Sequence, residues 1–251
     1  MSKRLVLFDL DGTLTNPKLG ITSGVQHALN KFGIHEPNLT KLESFIGPPL
    51  RESFTHEYGF SEEDANKAVT YYREYFDPIG WRQNEVFPGI PDVLSALQDD
   101  GYMIGLATSK PTVFAERILT HFGLRDAFSV VIGSNLDGTR EDKAEVIGVA
   151  LAEASVMDGS AAAGTRVGHG AGVALAEAGV SAGRAASFAS STFVVMVGDR
   201  KYDIVGGKKW GLRTVGVTYG FGSREELQNA GADDIVDRPL ALMDAIASLA
   251  K

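Results

Sequence analysis

The chain contains no cysteine. Disulfides, thiolate metal sites and a cysteine nucleophile are therefore excluded. The absence is compatible with a reducing compartment, and a cytoplasmic location is expected. Long apolar runs are missing too: nothing approaches the roughly 18 residues of a membrane span. Leu5 to Phe8, the apolar run behind Lys3 and Arg4, is too short for a signal peptide. Nor is there an excess of basic residues. A net charge of −8 argues against nucleic acid or an anionic membrane as partner. A small anionic ligand stays open, because one pocket can be positive on a negative protein.

What is present suits a folded enzyme-sized unit of 251 residues, monomeric or homodimeric, with enough apolar side chains for a packed core. Leu5 to Phe8 reads as a buried parallel strand running into Asp9. Four further runs have the same shape: Met103–Ala107, Phe128–Ile132, Phe193–Val197 and Thr214–Val217. Helical patterns lie between them, notably at 90–100 and 111–122. This alternation predicts an α/β fold, a three-layer Rossmann-like core with a parallel sheet.

Two stretches break the alternation. Residues 16–87 carry no strand signal. Val25, Ala28, Leu29 and Phe32 recur at helical spacing, with Gly33 as a stop. Ser61 then opens a helix whose apolar face is Ala65, Ala68, Val69, Tyr72 and Phe76. This predicts a helical unit, 16–87, inserted into a discontinuous core of 1–15 and 88–251. The second stretch, about 155–192, is rich in Ala, Gly and Ser. Gly-Val-Ala-Leu-Ala-Glu-Ala occurs at Gly148–Ala154 and again at Gly172–Ala178. Two copies do not make a solenoid, so a flexible surface insert remote from any site is expected, with a second short helix as an option within it and His169 as a loop residue.

In open parallel sheets ligands sit at the C-terminal strand ends. Asp9, Asp11, Thr108 and Asp199 follow such ends, and Asp203 lies one turn beyond Asp199. Lys143 sits where a loop enters a helix. Carboxylates gathered in a cleft repel unless a cation intervenes, and all-oxygen ligands suit a hard ion such as Mg2+. A lysine and a hydroxyl can hold phosphate oxygens. A carboxylate can attack phosphorus to give an acyl phosphate, and a second one can move the proton. Each residue alone has a plainer reading: Asp-Gly is a turn signal, Asp199 and Asp203 could cap a helix, and Arg51 could be solvated. Lys110, Lys201, Lys208 and Lys209 read as solvated charges, and Gly220 to Gly222 as turn residues.

Phe8-Asp9-Leu10-Asp11-Gly12-Thr13-Leu14-Thr15 resembles the first signature of the haloacid dehalogenase superfamily. Thr108-Ser109-Lys110-Pro111 resembles the second, Lys143 fits the third, and Gly198-Asp199 with Asp203 the fourth. Gly47 to Arg51 and Gly133 to Arg140 are similar to the phosphoglycolate phosphatase-like and 5′-nucleotidase-like branch. The resemblance implies a Mg2+-dependent phosphatase acting on a small-molecule phosphate ester. It implies Asp9 as nucleophile and metal ligand, and Asp11 as acid/base lending its carbonyl to the metal. Thr108 and Ser109 would bind phosphate, Lys143 would neutralise charge, Asp199 would ligate metal, and Asp203 would support it. Residues 16–87 would be a mobile cap, with Arg51 touching the rest of the substrate. The gap from Lys143 to Asp199 is longer than the pattern's usual one.

Other functions stay open at this stage. A sugar phosphomutase would use the same core, and a catalytically silent interaction protein could keep the fold. Dehalogenation needs neither Asp11 nor a metal. Lys18, Lys31, Lys41 and Lys67 give no signal for a Schiff-base lysine. Receiver-type signalling domains share an acidic cluster but lack the Asp9-x-Asp11 pair and an inserted helical unit.

Overall fold

The computed structural model describes residues 4–157 and 180–251. The second copy of the repeated heptapeptide and His169 lie outside the described residues. Six strands form one parallel sheet: β1 (Arg4–Phe8), β4 (Met103–Pro111), β5 (Val130–Ser134), β6 (Phe193–Gly198), β7 (Arg213–Val217) and β8 (Asp234–Val236). Their spatial order is β5-β4-β1-β6-β7-β8, with β1 between β4 and β6. β4 runs on to Pro111, four residues past the predicted end. The third strand starts at Val130 rather than Phe128, which caps a short 3-10 turn. β8 has no apolar run to betray it, since it pairs at the sheet's edge.

Side chains alternate across the sheet as a pleated strand requires. Val6 and Phe8 join one apolar cluster, with α4 (Ile90–Asp99), α5 (Thr112–His121) and α10 (Leu242–Leu249). Leu5 and Leu7 join the other, with α6 (Lys143–Met157) and α7 (Val180–Ser191). α8 (Lys201–Lys209) packs beside α6, where Gly206 meets Ile147, and α9 (Arg224–Asn229) follows β7. The sequence reading set a surface insert at about 155–192, and both its ends are corrected. Ser155 is a buried residue of α6, and α7 puts Ala185 and Phe188 into the core. Small side chains read as a surface insert because α7 has few large apolar residues, yet Ala185 and Phe188 suffice to dock it. Among the described residues, no helix is long and apolar enough to cross a membrane.

Two short strands, β2 (Thr15–Asn16) and β3 (Glu85–Val86), pair antiparallel at the point where the chain leaves and rejoins the sheet layers. Between them run α1 (Lys18–Lys31), a 3-10 turn at Leu39–Phe45, α2 (Leu50–Tyr58) and α3 (Glu62–Phe76). α3 forms where its signals say: Ser61 accepts from the Asp64 N–H at 3.1 Å, three acidic residues fill the first turn, and Ala65, Ala68, Val69, Tyr72 and Phe76 are buried. Phe54 and Phe60 stack with ring centroids 5.7 Å apart, knitting α2 to the turn before α3.

Candidate active site

Phe8 pairs with Leu106 on one side and Val197 on the other. The next residues of these three neighbouring strands therefore emerge at one rim, which delivers Asp9, Thr108 and Asp199 together. Lys143 enters from the start of α6. Its Nζ lies 2.7 Å from Asp9 Oδ1, 2.8 Å from Asp203 Oδ1 and 2.9 Å from the Ala107 carbonyl oxygen. Asp203 is held in the first turn of α8, where its Oδ2 accepts from the Arg200 N–H at 3.1 Å. Asp9, Asp199 and Asp203 each offer an oxygen within 4.8 Å of the others, and all three are buried.

Asp199 is fully buried and has no cationic partner at ion-pair distance among the described residues. Its Oδ2 accepts from the Phe221 N–H at 2.8 Å, and Thr13 Oγ1 lies 3.5 Å from its Oδ1. Burial, then Asp203 and then Asp9, push its carboxyl well above the usual carboxylate range. Burial alone would lower the Lys143 ammonium, but Asp203 and Asp9 outweigh it and hold it charged. The loops that close on Asp199 must come very near. A Cβ on Gly12, whose φ is +83°, would fall 2.1 Å from Asp199 Oδ2, and one on Gly220 would fall 2.6 Å from the same atom. The run 220–222 thus frames the carboxylate cluster, which corrects its reading as a plain turn.

This donor set fits a hard divalent cation. Among the described residues, three buried carboxylates share one ammonium, which reaches two of them, and the clustered ligand atoms are all oxygen.

Asp11 takes a different partner. Its Oδ2 lies 2.7 Å from Lys110 Nζ, and its Oδ1 is buried without a hydrogen bond. Burial raises its carboxyl, Lys110 opposes that, and Asp9 adds to it. Lys110 is itself buried, with its ammonium 4.6 Å from the Phe76 ring centroid. The reading of Lys110 as a solvated charge is therefore wrong. The signal was its place on a strand that continues through Thr108 and Ser109 instead of ending before them. Thr108 is buried, and its Oγ1 accepts from the Lys110 N–H at 3.3 Å.

Asp11, Ser109 and Lys110 line a cleft between the sheet rim and the helical segment, with about 650 Å³ of atom-free space, part of it open to solvent. Phe45, Leu50, Tyr72, Phe76 and Phe114 make its apolar wall. Arg51, expected at the substrate, does not line it. Its guanidinium is taken up by Glu141 at 2.5 Å, Asn66 Oδ1 at 2.6 Å and the Asp137 carbonyl at 3.4 Å. Arg200 makes a second tie to the helical segment, donating to the Ile46 carbonyl at 2.6 Å.

With this geometry in view, the comparisons decide the family. A model for haloacid dehalogenase-like hydrolases matches residues 6–162, and a second, for hydrolase-like members of the same family, matches 173–242. The chain belongs to the haloacid dehalogenase-like hydrolases. It is 43% identical over 223 residues to a 5′-nucleotidase of Pseudomonas aeruginosa, covering 89% of this chain and 86% of that one. The crystal structure of a predicted phosphatase from Clostridium acetobutylicum superposes with a TM-score of 0.81 at 40% identity, covering 99% of this chain and 100% of the other. The chain is also 34% identical over 221 residues to the tyrosine-protein kinase PtkA of Mycobacterium tuberculosis, spanning 88% of this chain but only 64% of that protein. Within the family the 5′-nucleotidase and the Clostridium phosphatase set this hydrolase among the phosphatases.

Proposed function

We propose that the chain is a Mg2+-dependent phosphomonoesterase working through an aspartyl-phosphate on Asp9, and that residues 16–87 act as its cap. The observation that carries this reading is the cluster of Asp9, Asp199 and Asp203 beside the cleft, with Lys143 paired to Asp9 and Asp203. Asp9, Asp199 and the Asp11 carbonyl would hold Mg2+, with Asp203 beside them. The ion would supply positive charge to the phosphate oxygens and let the carboxylates coexist.

The chain's own groups do the rest. Lys143 fixes Asp9 through Oδ1, which leaves the other carboxylate oxygen to attack phosphorus. The P–O bond to the alcohol breaks as the Asp9–phosphorus bond forms. Thr108 and Ser109 hold the phosphoryl oxygens. Asp11, whose buried carboxyl favours keeping its proton, gives that proton to the departing alcohol. Lys110 then stabilises the carboxylate so formed. That carboxylate takes a proton from water as the water attacks phosphorus, releasing inorganic phosphate and restoring Asp9. The cap excludes bulk water during both halves.

Two substrate classes fit the reading, phosphoglycolate-like esters and nucleoside 5′-monophosphates. The 5′-nucleotidase relative favours the second. Steady-state hydrolysis of phenyl phosphate tests the reaction itself. Turnover is expected with Mg2+, is abolished by chelator, and should fall by roughly 10³-fold or more in Asp9→Asn. Unchanged turnover in Asp9→Asn would remove the nucleophile assignment.

A further inference from the structure

Asp11 lines the cleft with its Oδ1 buried and without a hydrogen bond. Tyr72, on α3 one turn before Phe76, lines the same cleft and is 4% exposed. Among the described residues its hydroxyl makes no hydrogen bond. A buried tyrosine hydroxyl ordinarily finds a partner, and leaving one unpaired costs free energy. The position therefore favours a ligand that brings an acceptor to it.

The ring of Tyr72 is already covered by the chain. Phe76 stacks on it with ring centroids 5.1 Å apart. Gly24 of α1 abuts it so closely that a Cβ there would fall 2.8 Å from Tyr72 Cε2. What Tyr72 adds to an otherwise apolar wall is its hydroxyl. Burial, and then the Asp11 carboxylate, push that hydroxyl well above its usual range and keep it protonated as a donor. Of the charged groups around it Asp11 acts on it most, which sets the two on the same part of the cleft.

In the phosphatase reading Asp11 gives its proton to the ester oxygen of the leaving group. A donor beside Asp11 then meets the atoms next to that oxygen. A neutral oxygen on the neighbouring carbon, as in a sugar phosphate or the ribose of a nucleoside 5′-monophosphate, would accept from Tyr72. The carboxylate of phosphoglycolate would bring a second negative charge against Asp11, to which Lys110 is already committed. We infer that Tyr72 is a specificity-determining residue whose hydroxyl bonds a neutral oxygen of a sugar-like leaving group. The inference rests on the phosphatase reading and deepens it.

The test is steady-state kinetics of the unaltered chain and Tyr72→Phe with Mg2+, together with their melting temperatures. The substrates are ribose 5-phosphate, propyl phosphate, 2-phosphoglycolate and phenyl phosphate. The unaltered chain should favour ribose 5-phosphate over propyl phosphate and 2-phosphoglycolate by about fivefold or more in kcat/KM. Tyr72→Phe keeps the packed ring and removes one oxygen. It should lower kcat/KM for ribose 5-phosphate about fivefold or more and change propyl and phenyl phosphate by less than about twofold. Its melting temperature should not fall, because the lost hydroxyl has no partner in the chain. An equal fall on ribose 5-phosphate and propyl phosphate overturns the inference. So does a drop of several degrees in melting temperature, or 2-phosphoglycolate as the better substrate. Phenyl phosphate separates the two levels. If the unaltered chain does not hydrolyse it, the phosphatase reading fails; if it does and Tyr72→Phe does not discriminate, only the role of Tyr72 falls.

Discussion

At the scale of single residues the site is a problem in charge. Four acidic side chains, Asp9, Asp11, Asp199 and Asp203, are buried, and among the described residues Lys110 and Lys143 are the lysines paired with them. Their identities could be read from the sequence because each follows an apolar strand or opens a helix. Their partners could not, because pairing depends on which strands are neighbours. Lys110 shows this best: it reads as a surface lysine until β4 is seen to continue past Ala107, which turns its ammonium inward. Its pairing is testable apart from turnover. Lys110→Met should destabilise the fold by about 1–3 kcal/mol, because it leaves Asp11 buried without a cation. Adding Asp11→Asn should return about half of that or more. Chemical denaturation of the two variants checks it, and strictly additive losses would mean that the two side chains do not act as a pair. Arg51 errs in the other direction. Its sequence context suggests a substrate contact, but Glu141 and Asn66 lie 90 and 15 residues away and could not be foreseen as partners.

At the scale of elements, strong local signals located the structure and weak ones did not. α3 carries an N-cap, an acidic first turn and a clean apolar face, and it forms as read. α7 has no acidic residue in its first turn and few large apolar ones, so its stretch reads as a surface insert in which a second short helix is only an option. It is recruited by tertiary packing alone, through Ala185 and Phe188. β8 is likewise held by its neighbours. Asp233, just before it, accepts from the Thr214 N–H at 2.7 Å and from Thr214 Oγ1 at 3.0 Å, and it faces Lys208 at 2.6 Å. Burial works to raise its carboxyl, but Lys208 and the Thr214 bonds prevail and hold it below the usual carboxylate range. A lowered pKa in the folded state contributes stability above the unfolded value, and that stability is lost as pH falls through the folded value. Asp233→Asn should therefore cost about 1 kcal/mol at neutral pH, with the difference from the unaltered chain shrinking below about pH 4. Urea melts across that range check the sign. A gap that widened in acid would contradict it.

At the scale of the whole molecule, the sheet order explains why distant stretches meet. With β1 between β4 and β6, three loops from three parts of the chain share one rim, while α6 carries Lys143 in from the side. Every group assigned here to the reaction comes from residues 9–203 outside 158–179. Replacing residues 160–178 with a Gly/Ser segment of equal length should then keep kcat/KM within about threefold, and loss of activity with an unchanged melt would show a catalytic part for that stretch. The central claim is that the buried carboxylates coexist because a divalent cation joins them. Its most direct measurement is the melting temperature with and without Mg2+, for the unaltered chain and for Asp199→Asn. The unaltered chain should melt several degrees higher with Mg2+, while Asp199→Asn, relieved of an uncompensated buried charge, should melt no lower than the unaltered chain without metal and lose most of the Mg2+ gain. Equal Mg2+ shifts in both proteins, or none in the unaltered chain, would contradict the account.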